Sequence, residues 1–220
     1  MSRNFNENTR VQVPAALHLC KLGYTYLDKI EKYDHSTNIL TNIFLSQLAK
    51  LNPSLSEQDG RNYLTKLIGC LNNEDLGKEF YSYLSTKSGV RLIDFDNPEN
   101  NTWHVTTEFT CENEDTKDNF RPDITCFING LPLAFIEAKK PNNHEGMKAE
   151  FDRTNTRFKN KAFRRFFNIT QLMIYSNNQE YDNNNRVPVQ GAFYCCTAKE
   201  KAFYNVFREQ DKNFVAKYPY

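Results

Sequence analysis

The first third of the chain carries apolar residues three or four positions apart, which is the spacing of a helix face. Four such stretches span residues 13–24, 40–51, 56–71 and 74–85. Gly23 is a typical helix end, and Ser56 with Asp59 has the spacing of a capping box. Ser36 and Thr37 are the candidate caps of the second stretch. The pattern therefore predicts four helices before residue 88.

After Gly89 the apolar positions alternate, which is the pattern of strands. Strands are predicted at 90–92 and 103–109, and then at 124–128 and 131–138, where Asn129-Gly130 is a strong hairpin signal. A basic helix at 144–158, a short segment at 163–167, strands at 172–175 and 189–195 and a helix at 200–208 follow. This order predicts an α/β fold. We expect one structural domain, in which a helical part (1–88) packs on a core (89–220).

Composition narrows the class of protein. The 220 residues are 39% hydrophobic and 14% aromatic, which supplies a folded core and argues against disorder. Six cysteines occur without a C-x-x-C motif, so reduced thiols are expected. No apolar run approaches the length of a membrane span, and the N-terminus has no signal-peptide core. We therefore expect a cytoplasmic protein that does not enter a membrane.

The net charge of +1 hides an uneven distribution. Residues 94–118 hold eight acidic residues and one basic residue, whereas residues 139–165 hold nine basic and three acidic residues. The three acidic residues, Glu145, Glu150 and Asp152, are expected to form internal ion pairs with some of these bases. The remaining positive charge predicts a surface that attracts a polyanion.

Several common sites are absent from the sequence. There is no phosphate-binding loop of the G-x-x-x-x-G-K-[ST] type and no G-x-G-x-x-G, so this chain is expected to bind no ATP by itself. The G-x-S-x-G and H-E-x-x-H motifs are also absent, and the four histidines are scattered. The sequence thus gives no support to a nucleotide hydrolase, a serine hydrolase or a zinc enzyme.

The residues best placed for chemistry lie on the predicted hairpin. Asp123 is at the start of its first strand, and Glu137 and Lys139 share one face at the end of the second. Two carboxylates offer hard oxygen ligands for Mg²⁺, and a neighbouring lysine can stabilise charge on a phosphate. The combination predicts a site for phosphodiester hydrolysis. The alternative is an exposed ion pair on an edge strand, with Asp123 as a turn residue.

This assignment requires an irregular hairpin. With a strict two-residue turn, Asp123 would lie opposite Ile136, and Glu137 would face the other side of the sheet. A one-residue bulge at Asn129-Gly130, with Gly130 left-handed, or an equivalent longer loop would set Asp123 against Glu137. We therefore predict such a bulge.

The stretch RPDITCFINGLPLAFIEAKKP, residues 121–141, resembles the nuclease signature of the R subunit of type I restriction enzymes, a branch of the PD-(D/E)xK superfamily. Blocks at residues 9–27, 91–101 and 169–178 extend the resemblance over most of the chain. The resemblance implies a PD-(D/E)xK restriction-endonuclease-like core, a mixed central sheet flanked by helices, with an N-terminal helical elaboration. It also implies that the chain is an N-terminal fragment of a longer subunit.

The resemblance further implies roles for individual side chains. Asp123 and Glu137 would bind Mg²⁺, Lys139 would be the catalytic lysine, and Glu7, one place from an acidic position of the family, is a further candidate ligand. In the family's Q-x-x-x-Y element, Arg153 takes the glutamine position and Phe158 lies one step beyond the tyrosine position. The bases predicted to contact DNA are Lys140, Lys148, Arg153, Arg157, Arg164 and Arg165.

The leading hypothesis is therefore the Mg²⁺-dependent endonuclease domain of a type I restriction enzyme, acting on double-stranded DNA. The resemblance implies methyltransferase and specificity subunits as partners, and an ATP-driven translocase in the remainder of the subunit. One alternative is a non-catalytic DNA-binding or docking module that keeps the nuclease fold. Another is a nuclease of a different role, such as a repair or junction-resolving enzyme. The complete set of Asp123, Glu137 and Lys139 favours the restriction nuclease.

Overall fold

Helices precede and flank a mixed β-sheet. The structure, a computed structural model, describes residues 8–85, 89–112, 119–140, 146–177, 192–197 and 205–206. Within these residues the α-helices are α1 (Val13–Lys21), α2 (Thr41–Leu51), α3 (Glu57–Cys70), α4 (Lys78–Leu84), α5 (Gly146–Lys159) and α6 (Arg164–Ile169). A π-helical turn, Asn8–Gln12, precedes α1. None of these described helices is long and apolar enough to cross a membrane.

The sheet contains its strands in chain order. The strands are β1 (Thr25–Tyr26), β2 (Trp103–Thr107), β3 (Ile124–Ile128), β4 (Leu131–Ala138), β5 (Leu172–Ser176), β6 (Ala192–Cys195) and β7 (Asn205–Val206). The pairs β1–β2 and β4–β5 are parallel, and the other neighbours are antiparallel. The predicted α/β class, with a mixed central sheet flanked by helices, is confirmed.

The four helices predicted before residue 88 are present, but their starting points differ in part. The capping box is confirmed, since Ser56 Oγ accepts a hydrogen bond from the Asp59 N–H at 3.1 Å and Asp59 Oδ2 accepts one from the Ser56 N–H. The predicted cap of α2 is wrong, because this helix begins behind Leu40 without a side-chain cap. The Ser36 N–H donates instead to Asp34 Oδ1 in a separate turn. Helix α4 begins at Lys78 rather than at residue 74, and the residue before it, Gly77, has a left-handed backbone conformation.

Two predicted elements of the later chain need correction. Residues 90–92 form no strand; Leu92 is buried in a loop, and its carbonyl accepts a hydrogen bond from the Asn129 side chain. The helix predicted at 200–208 is wrong at Asn205–Val206, which pair with β6 as a strand. The rest of that prediction lies outside the described residues, as do residues 189–191 of the strand predicted before β6.

Apolar clusters cover both faces of the sheet. Helix α1 covers one face, where Ala16 joins Val105, Ile124, Cys126 and Ile136. Aromatic side chains from the strands and α6 fill the opposite face, among them Phe127, Phe135, Phe166, Phe167 and Tyr175. Helices α2 to α4 form a third cluster, which includes Leu131 and Leu133 of β4. The helical part and the sheet therefore share a core, while a boundary at residue 88 stays a prediction.

The β3–β4 hairpin has a two-residue turn and a bulge farther along. Asn129 and Gly130 both have positive φ, 50° and 80°. A Cβ on Gly130 would lie 2.8 Å from the Leu40 carbonyl oxygen and the Phe44 nitrogen, so glycine is required there. The turn pairs Ile128 with Leu131, but between Phe127 and Cys126 the register shifts by one residue.

The shift leaves Leu133 as the extra residue of β4, because Phe127 pairs with Pro132 and Cys126 with Ala134. The Leu133 carbonyl accepts a hydrogen bond from the Gln171 N–H at 2.7 Å, which satisfies the carbonyl of the bulged residue. The predicted register shift is thus confirmed, with Gly130 left-handed, but the predicted place of the bulge, at the turn itself, is wrong.

Candidate active site

The bulge brings the predicted carboxylates to one face of the sheet. Ile124 pairs with Ile136, so the same register sets Asp123 against Glu137 at the open end of the hairpin. Asp123 Oδ2 accepts a hydrogen bond from the Ala138 N–H at 2.6 Å. The structure therefore joins Asp123 directly to the strand that carries Glu137 and Lys139.

The backbone of Asp123 is held by two elements distant in the sequence. Its carbonyl oxygen accepts hydrogen bonds from Gln12 Nε2 at 2.8 Å and from the Glu108 N–H at 3.0 Å. Gln12 is buried at the end of the π-helical turn, and its Oε1 accepts a hydrogen bond from Asn8. The N-terminal segment thus positions the first carboxylate, a role that sequence reasoning missed. Glu7, the further candidate ligand, lies outside the described residues.

Glu137 is a buried carboxylate whose nearby positive charges do not offset its burial. Its exposed fraction is 6%. Burial, together with repulsion by Glu150 and Asp123, raises its pKa to about 8, although Lys139 and Arg157 oppose the change. The pKa of Asp123 is also raised, chiefly by burial. Such shifts are typical of functional sites, because structure rarely groups carboxylates that repel one another.

Lys139 lies within the same cluster, with a side chain that is 11% exposed. Its Nζ is 3.4 Å from Glu137 Oε2 and 3.3 Å from Glu150 Oε2, and it donates to the Ala138 carbonyl oxygen at 3.0 Å. The alternative of an exposed edge-strand pair is therefore wrong, since β4 lies between β3 and β5 and both side chains are buried.

Glu150 of α5 is a member of the site that the sequence did not identify as such. Its side chain is fully buried and contacts three cations, at 2.8 Å for Arg153 and 3.3 to 3.4 Å for Lys139 and Arg157. The expectation of internal ion pairs in the basic segment is confirmed for Glu150. Its spacing of three and seven residues from the arginines signals one helix face, but nothing in the sequence signals its contact with Lys139.

The bases predicted to contact DNA do not form one group. Arg153 and Arg157 join the cluster around Glu150, and the Arg157 guanidinium also lies 4.1 Å from the ring centroid of Phe120. Arg164 and Arg165 contact the segment between α3 and α4, through Asn72 and Glu74. Lys140 is exposed beside the site, and the side chain of Lys148 lies outside the described residues.

The donor set of this site suits a hard divalent cation. Carboxylate oxygens are the ligands that Mg²⁺ prefers, and one or two carboxylates suffice when water and substrate phosphate complete the shell. Within the described residues no group of three or more His, Cys, Asp or Glu side chains is arranged to hold a metal ion. As a pair, Asp123 and Glu137 could hold Mg²⁺, and a cation there would relieve their repulsion.

Comparison with known proteins shows similarity over most of the chain. The family model of the type I restriction enzyme R protein N terminus matches residues 4–185. A protein of Methanocaldococcus jannaschii named as the type I restriction enzyme MjaIXP endonuclease subunit is 29% identical over 199 residues, 80% of this chain and 19% of that protein. The MjaVIIIP endonuclease subunit of the same organism is 27% identical over 178 residues, 74% of this chain and 17% of that protein. The chain spans about a fifth of the length of these curated relatives. It therefore belongs to the family of type I restriction enzyme R protein N-termini.

Proposed function

We propose that this chain is a Mg²⁺-dependent endonuclease domain of the PD-(D/E)xK type, which hydrolyses phosphodiester bonds of double-stranded DNA as part of a type I restriction enzyme R subunit. The observation that carries the proposal is the convergence of Asp123, Glu137 and Lys139 at the open end of the hairpin. Asp123 Oδ2 lies 2.6 Å from the Ala138 nitrogen, and Glu137 Oε2 lies 3.4 Å from Lys139 Nζ. The family membership and the endonuclease names of the relatives support the same activity.

Asp123 and Glu137 would hold the Mg²⁺ ion. The pKa of Glu137, about 8, means that its carboxyl group keeps a proton near neutral pH unless a cation replaces that proton. When bound, Mg²⁺ supplies charge neutralisation at the scissile phosphate and an acidified water molecule. The fit rests on the buried, mutually repelling oxygen donors of this chain.

Two other groups of the site orient the Asp123 carboxylate and stabilise the charge on the phosphate. The Ala138 N–H fixes the Asp123 carboxylate by a 2.6 Å hydrogen bond, so this ligand is in place before substrate arrives. The Lys139 ammonium is compact, and nearly all of its side chain is excluded from water, which strengthens its interaction with an anionic phosphate. Lys139 therefore stabilises negative charge that develops on the phosphate.

DNA would be held mainly through its phosphates. Arg153 borders the site with a side chain that is 54% exposed, and Lys140 follows the catalytic strand directly. Contacts of this kind position a duplex without identifying its sequence. In the proposed enzyme, methyltransferase and specificity subunits select the DNA, and the remainder of the R subunit supplies ATP-driven translocation.

The test is cleavage by the intact R subunit assembled with its partner subunits. Asp123→Ala, Glu137→Ala and Lys139→Ala should each lower the rate of DNA cleavage by roughly 1,000-fold or more, while ATP hydrolysis stays unchanged. Lys159→Ala, an exposed lysine at the end of α5, is the matched control and should cleave normally. Retained cleavage in all three variants would instead favour a docking module with a nuclease fold.

Metal binding gives a second test, which needs no DNA. Mn²⁺ titrated into the 220-residue chain should bind more tightly as the pH rises from 6 to 8, because Glu137 then gives up its proton. Calorimetry in two buffers of different ionisation enthalpy should show proton release near neutral pH. Glu137→Gln should abolish that release. Equal affinity at both pH values would contradict the assignment of Glu137 as a ligand.

A further inference from the structure

A fourth charged side chain contacts the proposed catalytic lysine. Glu150 comes from α5, eleven residues after Lys139, and its carboxylate is fully buried. It is separate from the three residues predicted from the sequence, and among the ion pairs of the described residues it is joined to the end of β4 through Lys139. Lys139 is therefore the contact through which Glu150 meets the proposed catalytic residues.

Glu150 and Glu137 share the ammonium group almost equally. Lys139 Nζ lies 3.3 Å from Glu150 Oε2 and 3.4 Å from Glu137 Oε2, and the Ala138 carbonyl accepts its hydrogen bond at 3.0 Å. An ammonium group has three donors, so three acceptors are enough to define its position. Of these three acceptors, only Glu137 and the Ala138 carbonyl would remain without Glu150.

Glu150 is itself held in place by its own helix. Arg153 Nη1 lies 2.8 Å from Glu150 Oε2, and Arg157 Nη1 lies 3.4 Å from Glu150 Oε1. One turn farther along α5, the hydroxyl groups of Thr154 and Tyr175 lie 2.8 Å apart, which joins this helix to β5. Its own helix thus holds the Glu150 carboxylate, which offers the lysine an acceptor that does not depend on β4.

We propose that Glu150 is a positioning residue for Lys139, which holds the ammonium group between two carboxylates and so keeps Glu137 open to a divalent cation. The proposal rests on the proposed nuclease function. Arg153 and Arg157 also pair with Glu150, so the test must separate its effect through Lys139 from the direct effect of its charge.

A double-mutant cycle on Mn²⁺ binding tests this route. In the otherwise unchanged chain, Glu150→Gln should weaken Mn²⁺ binding about 5- to 10-fold, because Lys139 then pairs with Glu137. In a Lys139→Met background, the same change should alter Mn²⁺ affinity by no more than about 2-fold. Asp152→Asn, an exposed carboxylate on the same helix, is the control and should have no effect in either background. Equal weakening in both backgrounds would overturn the proposal.

Cleavage kinetics of the assembled enzyme provide the second measurement. Glu150→Gln should lower the single-turnover rate about 30-fold or more, with DNA affinity within about 2-fold of the original. Glu150→Asp keeps the charge and should recover part of the rate. An unchanged rate in Glu150→Gln, or equal losses in the Gln and Asp variants, would contradict positioning. Thermal unfolding of each variant shows whether it folds; if the Gln variant does not, the Asp variant carries the same cycle with a smaller effect.

Failure of this proposal is distinguishable from failure of the proposed function. If Lys139→Met still cleaves DNA at the original rate, the nuclease assignment fails. If Lys139→Met is inactive but Glu150→Gln leaves both the rate and Mn²⁺ affinity unchanged, only the role of Glu150 fails.

Discussion

The two ends of the β3–β4 hairpin both bury polar side chains, but these side chains are hydrogen-bonded partners at the turn and mutually repelling carboxylates at the open end. At the turn, Asn129 uses its whole amide: Oδ1 accepts from the Thr102 N–H, and Nδ2 donates to the Leu92 carbonyl and to Asn101 Oδ1. Each of these bonds is 2.8 to 2.9 Å long. The turn end is therefore a satisfied network of mostly neutral groups.

The carboxylate at the turn end is stabilised in its charged form. Asp94 accepts hydrogen bonds from Asn100 Nδ2 and the Asn97 N–H, and these bonds, with Arg91 nearby, lower its pKa. At the open end, burial and like charges raise the pKa of Asp123 and Glu137 instead. The polar cluster at the turn end thus stabilises the fold, whereas the carboxylates at the open end destabilise it. The open end therefore has the properties of a functional site.

The largest effect should come from breaking the turn end. Asn129→Ala removes the hydrogen bonds to the Thr102 N–H and the Leu92 carbonyl, removes one of two bonds to Asn101 Oδ1, and places alanine at a φ of 50°. We expect the free energy of unfolding to fall by about 3 kcal/mol, measured by urea denaturation. Asn97→Ala, exposed in the neighbouring loop, should change it by less than about 0.5 kcal/mol. A loss below about 1 kcal/mol for Asn129→Ala would mean that the network is not a source of stability.

At the open end of the hairpin, by contrast, we expect removal of a polar side chain to raise the free energy of unfolding. The folded Glu137 carboxyl group, with a pKa of about 8 against an ordinary value of 4.5, binds its proton more tightly than the unfolded chain does. Its contribution to stability is therefore complete below about pH 4.5 and is lost as the pH rises through about 8. Glu137→Gln removes this dependence and should be more stable than the original chain at pH 8, by about 1 to 2 kcal/mol.

Urea denaturation at pH 5 and pH 8 measures this difference. The gain in stability from Glu137→Gln should be larger at pH 8, and cleavage should be lost at both pH values. Glu79→Gln, a glutamate of the first turn of α4, is the control. A Glu137→Gln variant that is less stable than the original chain at pH 8 would show that the open end is a structural ion-pair cluster after all.

The hairpin also shows how far the sequence could predict the fold. Alternation and the Asn129-Gly130 signal located both strands at their observed bounds. The chemistry of Asp123 and Glu137 required a register shift, which is present, but the turn takes two left-handed residues and needs no bulge. The bulge occurs at Leu133, where the Gln171 N–H and the packing of α2 to α4 decide the backbone. A contact between residues so far apart has no local signal.

The packing of helix α1 and the contact of Glu150 with Lys139 could likewise not be predicted from local sequence patterns. The spacing of Val13, Ala16 and Leu17 predicted one helix face, yet Val13 and Leu17 have exposed fractions of 41% and 59%, and Ala16 alone of these three is buried against the sheet. Periodicity identifies a helix without stating which neighbours cover it. Likewise, the contact of Glu150 with Lys139 depends on how α5 lies against β4, so that part of the candidate site could be found only in the structure.

The smallest expected effect is a difference in DNA binding between Arg153 and Arg164, two arginines that the sequence analysis assigned to the same DNA-contacting group. Arg153 borders the open end, whereas Arg164 pairs with Glu74 at 2.5 Å and donates to the Asn72 carbonyl. Arg153→Ala should weaken binding of duplex DNA about 2- to 5-fold, equally for unrelated sequences, and reduce the salt slope by at most about one unit. Arg164→Ala should instead cost at most about 1 kcal/mol of stability, because it removes a half-exposed ion pair. Fluorescence anisotropy at several salt concentrations measures both affinities; an equal loss for the two variants would extend the DNA surface from the open end across α6.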